Sequence, residues 1–143
     1  MTSVFERYGV RRFPEGTRTA ADAASAIGCA VTQIVKSLVF TAGAEPVIVL
    51  MSGANRVNTA KLAARAGSPV EKADAETARI ATGFSIGGVP PFGHRHKLRV
   101  YVDEDLIAFD VVWCAAGHAD TVFPIHPAEL VSASLGTVAD LKE

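Results

Sequence analysis

The stretch Gly83-Phe-Ser-Ile-Gly-Gly-Val-Pro-Pro-Phe-Gly93 contains four glycines and two prolines within eleven residues. Proline lacks a backbone N–H and glycine leaves the backbone unrestrained, so this segment is unsuited to a helix or to a central strand. We therefore predict a shaped loop. Glycine tolerates positive φ and a close approach of the backbone to a ligand, so Gly87 and Gly88 are predicted to present bare N–H groups to a bound molecule.

The second half of this loop is predicted to be stiff. Pro90 and Pro91 fix their own φ angles, which restricts the shapes that the loop can adopt. The alternative interpretation is a tight surface turn that tucks Phe84, Ile86 and Phe92 into the core, because most clusters of glycine and proline only connect other elements. The loop sequence by itself leaves both interpretations open.

Lys36 is the predicted partner of this loop. The segment Thr32–Phe40 is rich in Val, Ile and Leu and is predicted to be a strand, where a period of two places Lys36 on the same face as Ile34 and Leu38. A lysine in an apolar row must extend to water, lose its proton or meet an anion, because an unpaired buried ammonium is costly. Two interpretations follow: a solvated strand end, and an anion-binding site.

The composition predicts a single globular domain formed by residues 1–143. Hydrophobic residues make up 49% of the chain and charged residues 20%, which suits a chain with a substantial core. The formal charge is −1, from 14 Lys and Arg against 15 Asp and Glu, so no global field attracts DNA or an anionic membrane. The N terminus lacks an apolar signal core, and the longest aliphatic run, Val47–Met51, is too short to cross a bilayer. These features predict a cytoplasmic protein.

Alternating strand and helix signals predict an α+β fold: a single domain with a mixed, curled β-sheet around a pocket and short helices outside. Capping residues before the apolar segments and glycines after them delimit the helices. The predicted helices are Ala20–Ile27, Thr59–Ala66, Asp74–Thr82 and His126–Ser134. The predicted strands are Val10–Phe13, Thr32–Phe40, Val47–Met51, His94–Asp103, Val111–Ala115, Thr121–Ile125 and Thr137–Leu141.

Capping residues and a proline refine these elements. Ser3 and Glu6 form a Ser-x-x-Glu capping box for a short N-terminal helix that Gly9 ends. Pro124 lies within a predicted strand, and proline cannot donate to a ladder, so this strand is predicted to lie at a sheet edge.

Exposed polar residues supply further candidates. Alternation along His94–Asp103 places Arg95, Lys97 and Arg99 on one side of the predicted strand, and this cationic side is either simply solvated or guides a phosphate backbone. Asn55 lies in the loop after Val47–Met51. Contact with a polar ligand and ordinary solvation of a loop explain it equally well.

The two cysteines, Cys29 and Cys114, form neither a metal-ligand spacing nor a disulfide framework, so we predict no metal and no other cofactor. A thiol enzyme that uses one of them with His118 is a weak alternative, because neither cysteine has an activating neighbour in the sequence. The motifs of P-loop NTPases, serine hydrolases and zinc proteases are all absent.

The order of these features resembles the YbaK/EbsC family, which is related to the editing domain inserted in bacterial prolyl-tRNA synthetases. Four segments carry the resemblance: Ala20–Gly28, the strand Gln33-Ile-Val-Lys36-Ser-Leu38, the loop Gly87-Gly-Val-Pro-Pro91-Phe-Gly93, and Val111–Leu130. It covers most of the chain from about Thr17 onward. The lysine strand combined with the Gly-x-x-x-Pro-x-Gly loop makes the resemblance specific.

The resemblance implies a free-standing aminoacyl-tRNA deacylase that hydrolyses the ester between a wrong amino acid and the terminal adenosine of a tRNA. Because a synthetase cannot strongly reject an amino acid smaller than its own, we predict that the residue removed is small, such as alanine, and that proline tRNA is the substrate. Lys36 would lie by the 3′ end of the tRNA, and the loop would wall the pocket and cradle the oxyanion. The predicted catalytic residues are Lys36, Gly87 and Gly88. The predicted substrate-binding residues are Pro90, Pro91, Phe92, Gly93, Asn55 and His118.

The expected partners are the 3′ acceptor end of an aminoacyl-tRNA and, as a candidate, prolyl-tRNA synthetase. An alternative from another class is a non-catalytic module that binds a tRNA end or a nucleotide. Such a module would use the same lysine and loop to hold a phosphate, and would not break the ester.

Overall fold

The computed structural model describes residues 4–17 and 19–143. The α-helices of this part are α1 (Ala20–Ile27), α2 (Thr59–Ala66), α3 (Ala75–Thr82) and α4 (Pro127–Ser134). The strands are β1 (Arg11–Arg12), β2 (Val35–Ala42), β3 (Glu45–Ser52), β4 (Val70–Lys72), β5 (Arg99–Asp103), β6 (Val112–Ala115), β7 (Thr121–Ile125) and β8 (Thr137–Ala139). No helix of the described residues is long and apolar enough to cross a membrane.

The predicted α+β class is confirmed, and the strands form two sheets rather than one. The larger sheet has the order β4-β2-β3-β5-β8, with an antiparallel β2–β3 hairpin and parallel β3–β5 and β5–β8 pairs. The smaller sheet is antiparallel with the order β1-β7-β6. A parallel bridge between Ile34 and Trp113 links the two sheets just before β2 begins.

The central strand β3 is buried on both faces of the larger sheet, and its residues Val47–Met51 are all apolar. Alternation along β3 places Ile48 and Leu50 in one core cluster, which α3, α4 and the smaller sheet complete. Val49 and Met51 face the other way and join a second cluster that α2 covers through Leu62. All five of these side chains are fully buried.

The helix ends confirm the predicted caps. The side chains that accept from first-turn N–H groups are those of Thr19, Asn58 and Asp74. The glycines that end these three helices in the left-handed region are Gly28, Gly67 and Gly83. α4 begins with Pro127 after the cap His126, as predicted, and ends at Leu135, whose φ of 56 is positive.

The predicted strand His94–Asp103 is wrong in its first half. Only Arg99–Asp103 pairs with neighbouring strands. The preceding residues form a loop, in which the His94 Nε2–H donates to the carbonyl of Pro90 at 2.7 Å. Arg95 and Lys97 therefore do not lie on a strand face. The predicted strand Thr32–Phe40 instead begins at Val35, after a 3₁₀ turn, and extends to Ala42.

The prediction that the strand with Pro124 lies at an edge is also wrong, since β7 is the middle strand of its sheet. β1 pairs only with Thr121 and Val122, so Pro124 lies beyond the end of β1 and no ladder bond is lost there. At the N terminus, Ser3 of the predicted capping box lies outside the described residues. Glu6–Tyr8 forms a 3₁₀ turn that Gly9 ends at a φ of 85.

Candidate active site

A cavity of about 360 Å³ lies between the start of β2, helix α1, the β6–β7 hairpin and the loop 83–93. β4 pairs with β2 only from Phe40 to Ala42, so the first half of β2 has an open edge. Residues 35–38 along this open edge line the cavity. The fold thus leaves one strand edge of the larger sheet available to a ligand.

Lys36 lies on this edge and contributes to the cavity wall. Its Nζ donates to the backbone carbonyl oxygen of Asn55 at 2.6 Å, and no carboxylate pairs with it among the described residues. Partial burial lowers the pKa of the Lys36 ammonium below its ordinary value of 10.5, and the positive charges of Arg56 and Lys72 lower that pKa further. An ammonium held beside a cavity without a carboxylate partner suits a ligand that carries negative charge.

Asn55 acts on this site through its backbone. Its side-chain amide donates to Oδ2 of Asp105 at 2.7 Å, and Oδ1 of Asp105 lies 3.2 Å from the Nζ of Lys142. These contacts fix the loop whose carbonyl receives the Lys36 ammonium. The Asn55 side chain lines a separate cavity of about 470 Å³. The structure therefore makes Asn55 a positioning residue for Lys36 and does not bring its side chain into the Lys36 cavity.

The glycine loop forms another wall of the Lys36 cavity through Ile86, Gly87 and Val89. Gly87 has a φ of 98, so the predicted positive φ is confirmed there. Gly88 is not in the left-handed region and does not line the cavity. A Cβ at Gly88 would lie 2.9 Å from backbone atoms of His118, so the close approach of two chain segments requires glycine at this position.

Two residues of the same loop line the cavity and have backbone N–H groups without an acceptor among the described residues. The N–H of Gly88 donates to the carbonyl of Ser85 at 3.0 Å and is occupied by that turn. The N–H groups of Gly87 and Val89, which both line the cavity, donate to no acceptor in residues 4–17 and 19–143. The predicted oxyanion cradle of Gly87 and Gly88 is thus better matched by Gly87 and Val89.

Pro90, Pro91, Phe92 and Gly93 do not line the Lys36 cavity. Both prolines are buried. The Phe92 ring packs with a set of aromatic rings whose centroids lie 5.3 to 6.0 Å away: Phe5, Tyr8 and Phe123. After Val89 the chain turns away from the cavity and into the core. Pro90, Pro91 and Phe92 therefore support the loop on the side that faces the core. The alternative interpretation of the loop is therefore correct for Phe92.

His118 lies in the β6–β7 turn and is exposed. It lines a groove of about 390 Å³ outside the cavity, together with Gly83 and Gly88. Ile86 lines both the groove and the cavity, so the two are adjacent. The structure brings His118 to the rim of the site and not into its interior.

Sequence reasoning missed most of the apolar wall. The buried side chains that form it are Ile34, Val89, Trp113 and Val122. The segment Val111-Val-Trp-Cys-Ala115 has only the apolar pattern of a core strand, so it did not indicate that Trp113 lines a cavity. The segments that form the wall are also distant from one another in the sequence. Ser37 was also missed. Its Oγ is the one buried side-chain polar atom without a hydrogen-bond partner in the described residues, and it lies on the cavity wall beside Lys36.

The thiol alternative gains no support from the structure. Cys114 is fully buried and Cys29 is partly buried, and neither lines the Lys36 cavity. Burial raises the pKa of both thiols above its ordinary value, so both remain protonated at neutral pH. A protonated thiol is a poor nucleophile.

Comparison with known proteins places this site in context. The pattern of the family described as "aminoacyl-tRNA editing domain" matches residues 14–133. The uncharacterized protein YwhH of Bacillus subtilis is 30% identical over 130 residues, covering 90% of this chain and 83% of YwhH. The proline–tRNA ligase of Citrifermentans bemidjiense is 33% identical over 107 residues, covering 74% of this chain. The chain spans only 19% of that ligase.

Solved structures show the same fold. One, described as a candidate trans-editing enzyme for prolyl tRNA synthetase, superposes with a TM-score of 0.90 at 44% identity, covering 97% of this chain and 92% of the other. A second, the hypothetical protein APE2540, superposes with a TM-score of 0.88 at 32% identity, covering 94% and 90% of the two chains.

Proposed function

Because the chain belongs to the aminoacyl-tRNA editing domain family, we propose that it is a deacylase that acts in trans on mischarged tRNA. It hydrolyses the ester of a small amino acid, such as alanine, on the terminal ribose of a tRNA, and proline tRNA is the substrate we expect. One observation carries the proposal: Lys36 lines a mostly apolar cavity together with Gly87 and Val89, whose N–H groups have no acceptor in the described part of the chain.

The hydrolysis needs a positioned water, donors for the oxyanion and a proton for the leaving ribose oxygen. Water attacks the ester carbonyl carbon, the amides of Gly87 and Val89 stabilise the tetrahedral oxyanion, and the bond to the ribose oxygen then breaks. Lys36 holds the terminal phosphate or orients the carbonyl. None of the described residues that line the cavity is an acid, a histidine or a cysteine. A ribose hydroxyl or the amino group of the substrate therefore takes a proton from the attacking water and passes a proton to the ribose oxygen, which leaves as a hydroxyl while the amino acid leaves as a carboxylate.

The cavity walls favour a small amino acid. Ile34, Val89 and Val122 are β-branched and buried, and Trp113 is buried beside them, so this wall is stiff. A synthetase cannot strongly reject an amino acid smaller than its own, because one methylene is worth about 1–3 kcal/mol of discrimination. A second pocket that admits the smaller residue and excludes the correct one removes such errors.

Relatives of the chain are proline–tRNA ligases, which supports prolyl-tRNA synthetase as a candidate partner. In this proposal the synthetase releases mischarged proline tRNA, and the deacylase captures it before it is used in translation. Lys36 also fits a second function, a module that binds a tRNA end without hydrolysing it, because an ammonium without a carboxylate partner binds phosphate equally well.

Incubation of the purified protein with a panel of mischarged tRNAs separates the two functions. We expect multiple-turnover loss of the ester from tRNA that carries alanine or a residue of similar size. A binder without catalytic activity would instead slow the spontaneous hydrolysis of the ester. Protection of every ester in the panel would contradict the proposed deacylase.

The pKa of Lys36 gives a pH-dependence to test. If hydrolysis requires the ammonium form, kcat/KM falls as the pH rises through the Lys36 pKa, which lies below 10.5. In Arg56→Ala a positive neighbour is lost, so the Lys36 pKa rises and the alkaline fall moves to higher pH. Rates are measured against pH after subtraction of the enzyme-free rate. Arg65→Ala is the control, and an unmoved alkaline limb in Arg56→Ala would contradict this role of the Lys36 charge.

A further inference from the structure

Two grooves are lined by residues that also line the Lys36 cavity or directly precede such residues in the chain, and the charges of the two grooves differ. The first, here called the acidic groove, contains Glu15, Asp22 and Asp120 and has a volume of about 440 Å³. Asp120 is paired with Arg12 at 2.8 Å, while Glu15 and Asp22 are exposed carboxylates without an ion pair among the described residues. The carboxylates of the acidic groove would repel a polyanionic ligand that extended from the cavity into this groove.

The second, here called the His118 groove, is formed by residues 83–86, Gly88 and residues 117–119. It contains no carboxylate among the described residues. Ile86, which is 56% exposed, stands between this groove and the cavity. An exposed apolar side chain at the mouth of a cavity offers a surface on which a base can pack.

The far end of the His118 groove leads to a basic segment. The N–H of Arg95 donates to the carbonyl of Thr82 at 2.8 Å, and a Cβ at Gly83 would lie 3.1 Å from the Cβ of Arg95. Arg95 and Lys97 are exposed, and neither forms an ion pair within residues 4–17 and 19–143. The next basic residue, Arg99, is instead bound to a carboxylate of Glu45 at 2.9 Å.

We propose that the surface from Ile86 across His118 to Arg95 and Lys97 binds the acceptor end of the tRNA, with its unpaired 3′ nucleotides in the His118 groove and stem phosphates at Arg95 and Lys97. This inference rests on the proposed function. Phosphates are the contacts that position a nucleic acid without reading its sequence, and arginine and lysine make most of them. Arg95 and Lys97 can thus bind phosphates from the loop in which they lie, although the strand predicted for them is not formed.

The experiment compares two substrates and matched charge reversals. Arg95→Glu, Lys97→Glu and the double variant are assayed on alanyl-tRNA and on alanyl-adenosine, which lacks the rest of the acceptor end. The control is Arg65→Glu. Arg65 is exposed on α2, and α2 packs on one face of the larger sheet. Leu98, the neighbour of Lys97, packs on the core cluster of the opposite face, so Arg65 is a basic residue away from the proposed surface. Binding of uncharged tRNA by each variant is measured independently of hydrolysis.

We expect the double variant to lose at least tenfold in kcat/KM on alanyl-tRNA and in affinity for uncharged tRNA, with hydrolysis of alanyl-adenosine unchanged. The affinity of the double variant for tRNA should also depend less steeply on salt. Each lost phosphate contact reduces the magnitude of the negative slope of log K against log salt by about 0.9. Arg65→Glu should match the wild type throughout.

Three outcomes distinguish failure of the proposed docking surface from failure of the proposed deacylase function. Unchanged tRNA binding and hydrolysis in the double variant would overturn the docking surface and leave the deacylase standing. Equal losses on both substrates would also overturn it, because the two residues would then act at the cavity. If the wild type hydrolyses neither substrate, the proposed function fails, and tRNA binding by the same variants still decides for or against the surface.

Discussion

We expect Lys36→Ala to lower deacylation of alanyl-tRNA by a hundredfold or more, while the protein remains folded. The loss corresponds to about 2.7 kcal/mol of transition-state stabilisation, the size expected when one charged donor at a developing oxyanion or phosphate is removed. Stability should hold, because the ammonium is partly buried without a carboxylate partner and its removal relieves a desolvation cost. The measurements are single-turnover hydrolysis and thermal unfolding.

Lys72→Ala is the matched control, since Lys72 is an exposed lysine on the neighbouring strand β4 and does not line the cavity. It should hydrolyse alanyl-tRNA at close to the wild-type rate at neutral pH. Normal turnover by Lys36→Ala would remove Lys36 from the active site, and equal losses in both variants would show that general charge matters rather than this position.

We expect Gly88→Val to lower activity by more than its loss of stability explains. The added Cβ would lie 2.9 Å from backbone atoms of His118, and a branched side chain there displaces either the loop or the β6–β7 turn. Overpacking of this kind costs about 1–3 kcal/mol of folding free energy. The same displacement moves the amides of Gly87 and Val89 away from the oxyanion, so we expect at least a tenfold loss of kcat per folded molecule.

Gly67→Ala provides a variant that is destabilised far from the cavity. Gly67 ends α2 at a φ of 80, and a Cβ there meets no atom within 4 Å, so the change costs backbone strain without a clash. Its activity per folded molecule should equal that of the wild type. If Gly88→Val behaved in the same way, the loop would not be part of the catalytic site.

The sequence predicted the elements whose signals are local. Thr19, Asn58 and Asp74 cap helices because their side chains bond to N–H groups two or three residues later, and a following glycine ends each helix. Lys36 was placed correctly on a strand, because the strand signal depends only on neighbouring residues. These features need no knowledge of the tertiary fold.

Features that depend on contacts between distant segments were not predictable. Phe92 packs behind the loop because Phe5, Tyr8 and Phe123 are present there, and Gly88 is required by the backbone of His118. Local sequence cannot indicate such partners. The first half of His94–Asp103 alternates like a strand, but no strand pairs with it, so tertiary context overrides the pattern.

Because local sequence does not indicate distant contacts, the sequence analysis assigned the wrong residues of the loop to the pocket wall. The stiffness of proline suggested that Pro90 and Pro91 form the wall, whereas the loop residues that line the cavity are Ile86, Gly87 and Val89. Within the loop, the size limit proposed for the substrate therefore rests on Val89 rather than on the prolines, and Ile34, Trp113 and Val122 complete that wall. Val89 precedes the prolines, whose fixed φ angles hold the chain as it turns into the core.

The central claim is that this cavity removes a small amino acid from tRNA and rejects proline. Alanyl and prolyl esters are prepared on the same proline tRNA, incubated with the protein, and the surviving ester of each is counted over time beside an enzyme-free control. We predict rapid loss of the alanyl ester, and we predict that the prolyl ester survives at the enzyme-free rate because we expect the stiff apolar wall to exclude its ring. Equal loss of both esters, or loss of neither, would contradict the claim.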